Sequence, residues 1–214
     1  MRDFVKRSER AEGVMRILDE IYPEVKCTLN YENPLQMLIA TQLSAQCTDA
    51  RVNIVTKDLF RKYKNVYDFA SADLEELEQD IKSTGFYKNK AKNIIACCKR
   101  LIDEYNGEVP DTMEDLLTLA GTGRKTANLV LGDIFNKPAV VVDTHCIRLS
   151  TKIGLTNNTD PVKIEFDLKK IIPPHRQLRF CHQLVNHGRL RCIARRPDCE
   201  NCEIREYCKS AGRK

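Results

Sequence analysis

The chain of 214 residues is long enough for one large domain or for two small ones with a substantial core. Its net charge of +5 permits a nucleic-acid partner, but an excess this small does not identify one. The sequence shows no secretory leader and no apolar run long enough to cross a bilayer. We therefore expect a soluble, intracellular, cytoplasmic protein with no membrane partner.

Helical periodicity dominates the sequence. Asp73 followed by Glu76 predicts a capping box at a helix start, and Asn106-Gly107 is typical of a helix end. The strand-like stretch at residues 139–142 is short and isolated, so the pattern indicates an all-α chain. Helices are predicted, in chain order, at residues 8–21, from Pro34, at 49–63, from Asp73, at 87–105, from Thr112, and at 123–135, 144–153, 160–172 and 176–190.

Four cysteines near the C-terminus form the most informative motif. Cys192, Cys199, Cys202 and Cys208 are spaced C-x6-C-x2-C-x5-C with few apolar residues between them, which predicts one tetrathiolate site. A [4Fe-4S] cluster and a structural zinc ion both use four thiolates. Zinc sites usually pair two closely spaced cysteine knuckles, and only Cys199 and Cys202 form one here, so the spacing favours the cluster. Two disulfides would require an oxidising compartment, which nothing in the sequence indicates.

A G-x-G turn between two predicted helices is the second motif. Gly121 and Gly123 allow a sharp turn and a close approach to a ligand, and the next helix offers free N–H groups at the positive end of its dipole. Such a turn can hold a phosphate through its backbone, although most turns of this kind only join helices. The adjacent Arg124 and Lys125 favour phosphate binding, and no Walker signature accompanies them.

Lys125 and Asp143 are the candidate catalytic residues. Lys125 lies in the first turn of the predicted helix, where the dipole disfavours the ammonium form, and a neutral amine can form a Schiff base. The alternative for Lys125 is a solvated surface charge. Asp143 follows the apolar residues 140–142 and precedes a helix, so it can cap that helix and still face a cleft.

These motifs, in this order and at these spacings, resemble the endonuclease III family. Residues 119–130 surround the hairpin, Asp143 follows Lys125 by 18 positions, and the four-cysteine run comes last. The likeness extends over essentially the whole chain. It implies a two-lobed, all-α, helix-hairpin-helix DNA glycosylase fold.

The resemblance also implies the limits of the two lobes. A helical barrel lobe would span residues 27–137 and contain the hairpin at about residues 112–135. An iron-sulfur lobe would combine residues 1–26 with residues 138–214 and would hold the [4Fe-4S] cluster in the segment 192–208.

The activity implied by the resemblance is the removal of oxidised pyrimidines from duplex DNA, followed by strand cleavage through β-elimination. Carried over by position, Lys125 would be the nucleophile and Asp143 the carboxylate that supports it. Gln46 and Phe86 would fill the gap left by the flipped nucleotide, with Phe86 standing where a leucine is common. The implied partner is duplex DNA with oxidised pyrimidines or abasic sites, bound by a monomer at the nucleoid. The implied DNA-binding residues are Gln46, Phe86, Gly121, Gly123, Arg124, His145, Arg189 and Arg191.

Two other functions stay open at the level of sequence. A monofunctional glycosylase for mispaired adenine or thymine would resemble this chain but would lack the hairpin lysine. A non-enzymatic helix-hairpin-helix protein with a structural zinc ion would bind DNA without cleaving it.

Overall fold

The computed structural model describes residues 2–211, with side chains described from residue 6 onward. These residues form eleven α-helices and three 3₁₀ turns, and no strand forms among them, which confirms the all-α prediction. The 3₁₀ turns cover Lys82–Thr84, Pro174–Arg176 and Arg205–Tyr207. The α-helices are α1 (Arg2–Ile21), α2 (Pro34–Leu43), α3 (Asp49–Lys62), α4 (Val66–Ala70), α5 (Leu74–Asp80), α6 (Tyr87–Tyr105), α7 (Met113–Leu116), α8 (Arg124–Asp133), α9 (Thr144–Ile153), α10 (Pro161–Ile171) and α11 (Gln177–Leu190).

The chain divides into two compact units. One unit is continuous, covers Cys27–Asn136 and contains α2 to α8. The other unit joins the part of the chain up to Lys26 with the part from Lys137 onward, so it contains α1, α9, α10, α11 and the four-cysteine segment.

Helix α6 is the centre of the Cys27–Asn136 unit. It packs against α2, α4 and α5, and its inward face includes the fully buried Ala91, Ile94, Cys98 and Leu101. Helix α2 is buried along most of its length and also packs against α8. Helix α2 therefore links the core of this unit to the hairpin.

The second unit is built around α9 and α11. Helix α1 packs against α10 and α11, and α9 packs against both α10 and α11. Gly13 of α1 lies against the ring of Tyr207, since a Cβ added to Gly13 would come within 2.2 Å of that ring. Helix α1 therefore packs directly against Tyr207, the residue that precedes Cys208.

Three local features were not fully described by the sequence predictions. Asp73 accepts a hydrogen bond from the Glu76 N–H at 2.9 Å, but the Glu76 carboxylate pairs with Lys62 at 2.8 Å, so the box is capped from one side. Residues 139–142 are buried and extended, without a strand partner in the described part of the chain. The short helix α4, capped by Asn65, was not predicted.

None of the helices within residues 2–211 combines the length and the apolar character that crossing a membrane requires.

Candidate active site and metal centre

The hairpin consists of α7, a tight turn and α8. Gly121 in the turn has φ of 75°, the left-handed region that favours glycine. A Cβ at this position would lie 3.0 Å from Asn93 Cβ and 3.2 Å from Gln42 Oε1. Gly121 is therefore required both by its backbone conformation and by its close neighbours.

Gln42 of α2 holds the hairpin turn in place. Its Nε2 donates to the Ala120 carbonyl at 3.1 Å and to Thr122 Oγ1 at 3.3 Å, and the side chain is buried. Sequence reasoning missed this residue, because the Gln42–hairpin contact joins positions about 80 residues apart. A polar residue inside the apolar α2 pattern was the available signal.

Gly123 and Lys125 present the start of α8 to solvent. Gly123 is the N-cap, with φ of −99°, and a Cβ added there would meet nothing within 4 Å. None of the side chains that the structure describes caps α8, so its first N–H groups are left for water or a ligand. Lys125, in the first turn, is exposed. Burial raises the pKa of the Cys27 thiol to about 12, and the positive charge of Lys125 acts in the opposite direction.

Gln46 and Phe86 lie on two exposed loops of the Cys27–Asn136 unit. Gln46 has φ of 55° in the loop after α2, and Phe86 has φ of 50° immediately before α6. The Phe86 side chain is 63% exposed, which rules out a core position for this aromatic ring. An exposed apolar residue in a left-handed conformation is typical of a functional position.

Asp143 caps α9. Its Oδ1 accepts a hydrogen bond from the Cys146 N–H at 2.7 Å, and the side chain is half-buried. A cap uses one of the two carboxylate oxygens, so the same side chain can fix the start of the helix and also act on a ligand.

His145 lies two residues further along α9. Burial lowers the pKa of His145, the charges of Arg148 and Arg189 lower it further, and Asp143 opposes them. The ring packs on α11 because position 188 is a glycine; a Cβ there would lie 2.5 Å from His145 Nδ1. Gly188 was not identified from the sequence.

Arg148 connects His145 to the four-cysteine segment. One guanidinium nitrogen lies 3.2 Å from His145 Nδ1, and the other donates to the carbonyl oxygen of Cys192 and lies 3.4 Å from Cys192 Sγ. Sequence reasoning missed Arg148 as well. A basic residue one helical turn after His145, on the same face of α9, was the available signal.

The four predicted metal ligands line one cavity. Its volume is about 220 Å³, and its walls include Cys192, Cys199, Cys202 and Cys208. Within residues 2–211, no three His, Cys, Asp or Glu side chains converge on a position for a single ion; the four thiols instead surround this shared space. Burial raises the pKa of Cys202 to about 11, so metal binding must displace its proton. The donor set and the cavity fit a multi-atom cluster held by four thiolates.

The arginines near this cavity differ in their partners. Arg191 pairs with Glu203 at 2.9 Å and with Asp198 at 3.5 Å, so carboxylates of the four-cysteine segment offset its charge. Arg189 is exposed at the end of α11, and its charge reaches His145. Of the two predicted DNA-binding arginines near the cavity, Arg189 therefore has the geometry of a surface residue and Arg191 that of a structural one.

Comparison with known proteins supports a single family. Residues 39–174 match the model of the HhH-GPD superfamily base excision DNA repair protein, and residues 192–208 match the iron-sulfur binding domain of endonuclease III. Endonuclease III of Synechocystis sp. is 48% identical over 212 residues, which cover 99% of this chain and 97% of that relative. Solved structures of a non-covalent endonuclease III–DNA complex and of a trapped endonuclease III–DNA covalent intermediate each give a TM-score of 0.91. Each of these structures is 42% identical in sequence, and each match covers 95% of this chain and 96% of the chain in that structure.

Proposed function

The chain belongs to the endonuclease III family, and we propose that it removes oxidised pyrimidines from duplex DNA with Lys125 as its nucleophile and Asp143 as the supporting carboxylate. It is a base-excision-repair DNA glycosylase with AP lyase activity, it binds DNA, and it carries a [4Fe-4S] cluster. Family membership decides against the non-enzymatic alternative with a structural zinc ion.

The observation that carries the residue assignment is the exposed start of α8. Lys125 projects from the first turn of this helix, beside a glycine that leaves open space for a ligand backbone. The uncapped N–H groups can bind a DNA phosphate, which would place the sugar of the same nucleotide near the Lys125 amine.

The proposed reaction begins at the anomeric carbon of the damaged nucleotide. The neutral amine of Lys125 attacks this carbon, the N-glycosidic bond breaks, and the base leaves with the bonding electron pair. The sugar ring then opens to give an imine between the lysine and the carbon. The imine acidifies the neighbouring C–H, and loss of that proton expels the 3′ phosphate by β-elimination.

Asp143 supports both parts of this chemistry. Breaking the glycosidic bond builds positive charge on the sugar, and an ionised carboxylate stabilises that charge. The same carboxylate can accept a proton from the lysine ammonium and so act as a general base.

Each unit contributes its own proposed DNA contacts. Gln46 and Phe86 would enter the duplex where the damaged nucleotide is flipped out. The backbone of Gly121, Gly123 and Arg124 would bind one phosphate, and His145 and Arg189 would contact the damaged strand. We leave Arg191 out of these contacts because it is paired within the four-cysteine segment. The enzyme would act as a monomer at the nucleoid.

The [4Fe-4S] cluster, when bound by the four cysteines, supplies a fully ligated core that orders residues 192–208. Four cysteines would supply all the ligands of the cluster and would leave no position for a substrate, unlike metal sites that activate water. The chemistry of the reaction therefore lies with Lys125 and Asp143.

Borohydride trapping of Lys125→Gln tests the assignment. A duplex with thymine glycol or an abasic site should trap the unmodified enzyme as a covalent adduct and should not trap the variant, whose amide cannot form an imine. DNA affinity should stay within about threefold, because the hairpin backbone binds the phosphate. Lys99→Gln, an exposed lysine on α6, is the matched control and should trap normally. A trapped Lys125→Gln adduct would show that another amine is the nucleophile.

A further inference from the structure

One buried ammonium group joins two loops of the Cys27–Asn136 unit. Lys90, in the first turn of α6, is only 6% exposed. Its Nζ donates to the Leu43 carbonyl at 2.8 Å and to the Thr84 carbonyl at 2.9 Å. Within the part of the chain that the structure describes, no carboxylate pairs with it, and burial lowers the pKa of Lys90. Through these two hydrogen bonds, Lys90 links the main chain at Leu43 to the main chain at Thr84.

Both acceptors lie at the ends of helical elements. Leu43 is the last residue of α2, and Thr84 is the last residue of the 3₁₀ turn Lys82–Thr84. Carbonyls at such ends lack a partner within their helix and carry partial negative charge. The Lys90 ammonium supplies a donor to both carbonyls and complements the charge of both ends.

The chain runs from each acceptor directly into a loop with left-handed backbone. Gln46 follows Leu43 by three residues and has φ of 55°; Phe86 follows Thr84 by two and has φ of 50°. A left-handed conformation at a non-glycine residue is unfavourable and persists only where the surroundings enforce it. The Lys90 N–H also donates to the Phe86 carbonyl at 3.1 Å, so Lys90 holds this loop through its main chain as well as its side chain.

We propose that Lys90 is a positioning residue that fixes the Gln46 and Phe86 loops relative to one another, so that the two side chains enter DNA as one preformed unit. This inference rests on the function proposed above. It assigns Lys90 to the extrusion of the base, a step distinct from the reaction at Lys125. Preformed loops avoid the ordering cost of insertion. Lys90 therefore matters most where a paired base must leave the stack, and least at an abasic site, which has no base to extrude.

The test compares two substrates for one variant. Lys90→Met keeps the length of the side chain and removes the ammonium, and Lys99→Met is the matched control on the same helix. In single-turnover reactions, Lys90→Met should lose on the order of tenfold or more in excision of thymine glycol from duplex DNA. Strand nicking of an abasic duplex should fall by less than about threefold. A 2-aminopurine placed opposite the thymine glycol should show a reduced fluorescence rise with Lys90→Met and a normal one with Lys99→Met.

A purely structural role for Lys90 predicts equal losses on both substrates, and that result, or no loss on either, would overturn the proposal. Lys90→Arg restores a cation and should recover the ratio of the two rates even if Lys90→Met folds poorly. Adding Lys90→Met to Phe86→Ala should lower excision little further, because Lys90 acts through the loop that Phe86 occupies; full additivity would contradict this. Absence of borohydride trapping in the unmodified enzyme would instead refute the proposed function.

Discussion

Asp143 caps α9, and we propose that the same side chain also acts in the chemistry. Asparagine caps a helix nearly as well as aspartate, so Asp143→Asn should change the free energy of unfolding by less than about 0.5 kcal/mol. A neutral amide neither stabilises a cationic sugar nor accepts a proton, so base excision should fall by roughly 10²-fold or more. Single-turnover excision and denaturant unfolding of the same preparation separate the two effects.

Asp143→Ala provides the comparison for that prediction. It removes the hydrogen bond to the Cys146 N–H as well as the charge, so it should lose about 1 kcal/mol of stability in addition to activity. Near-normal excision by Asp143→Asn would mean that the carboxylate only caps α9.

Gln46 and Phe86 show a different relation between stability and function. Both hold a left-handed conformation, which glycine would adopt at lower cost, and Phe86 exposes most of its ring to solvent. Neither feature stabilises the folded chain. Both features support the proposed insertion into DNA, where an apolar ring and an amide would replace the contacts of a flipped nucleotide.

The hairpin contains two glycines whose replacement tests different properties. Gly123→Ala meets open space at an ordinary φ, so the fold should be retained, while the added methyl group faces the proposed phosphate and should weaken DNA binding severalfold. Gly121→Ala meets Asn93 and Gln42 and requires a left-handed alanine, so it should lower the free energy of unfolding by about 1 kcal/mol or more. DNA titration and thermal unfolding measure the two losses.

We expect Gly123→Ala to weaken DNA binding without loss of stability, and Gly121→Ala to lose stability. If Gly123→Ala binds DNA as tightly as the unmodified enzyme, the phosphate does not approach the start of α8. The proposed binding mode of the hairpin would then be wrong.

Local signals predicted most elements, and tertiary contacts account for what was missed. Helix α9 was predicted at its observed limits with Asp143 as its candidate cap, and α6 was predicted at its observed limits with Asn106-Gly107 as its end signal. The five-residue α4 is too short to show a period, and residues 139–142 have strand composition without a strand partner among the described residues.

The candidate site residues also divide into those with local sequence signals and those that depend on tertiary contacts. Residues in recognisable motifs were found from the sequence. Gln42, Lys90, Arg148 and Gly188 were not, because each acts on a segment that lies about 40 or more residues away in the chain or on main-chain atoms that no motif reveals.

In the proposed mechanism, each of the two units would supply a different part of the chemistry. The Cys27–Asn136 unit contains the hairpin lysine and the two insertion loops, whereas the other unit contains Asp143, His145 and the cluster ligands. Within this second unit, Arg148 contacts both His145 and Cys192, so the order of the four-cysteine segment is coupled to the helix that Asp143 caps.

Cys199→Ala tests the dependence of one unit on its cluster. Loss of a ligand should abolish the visible absorbance of the cluster and disorder residues 192–208, because binding of a structural metal group is coupled to folding. Hydrogen exchange should lose protection in the four-cysteine segment and at the adjoining ends of α9 and α11, and should stay near normal in α2 to α6. Activity should fall through weaker DNA binding, while borohydride trapping persists at high enzyme concentration.

Cys181→Ala, a buried cysteine of the same unit outside the cavity, is the control and should keep the absorbance. Full protection of residues 192–208 without the cluster would show that the segment folds by its own side-chain contacts.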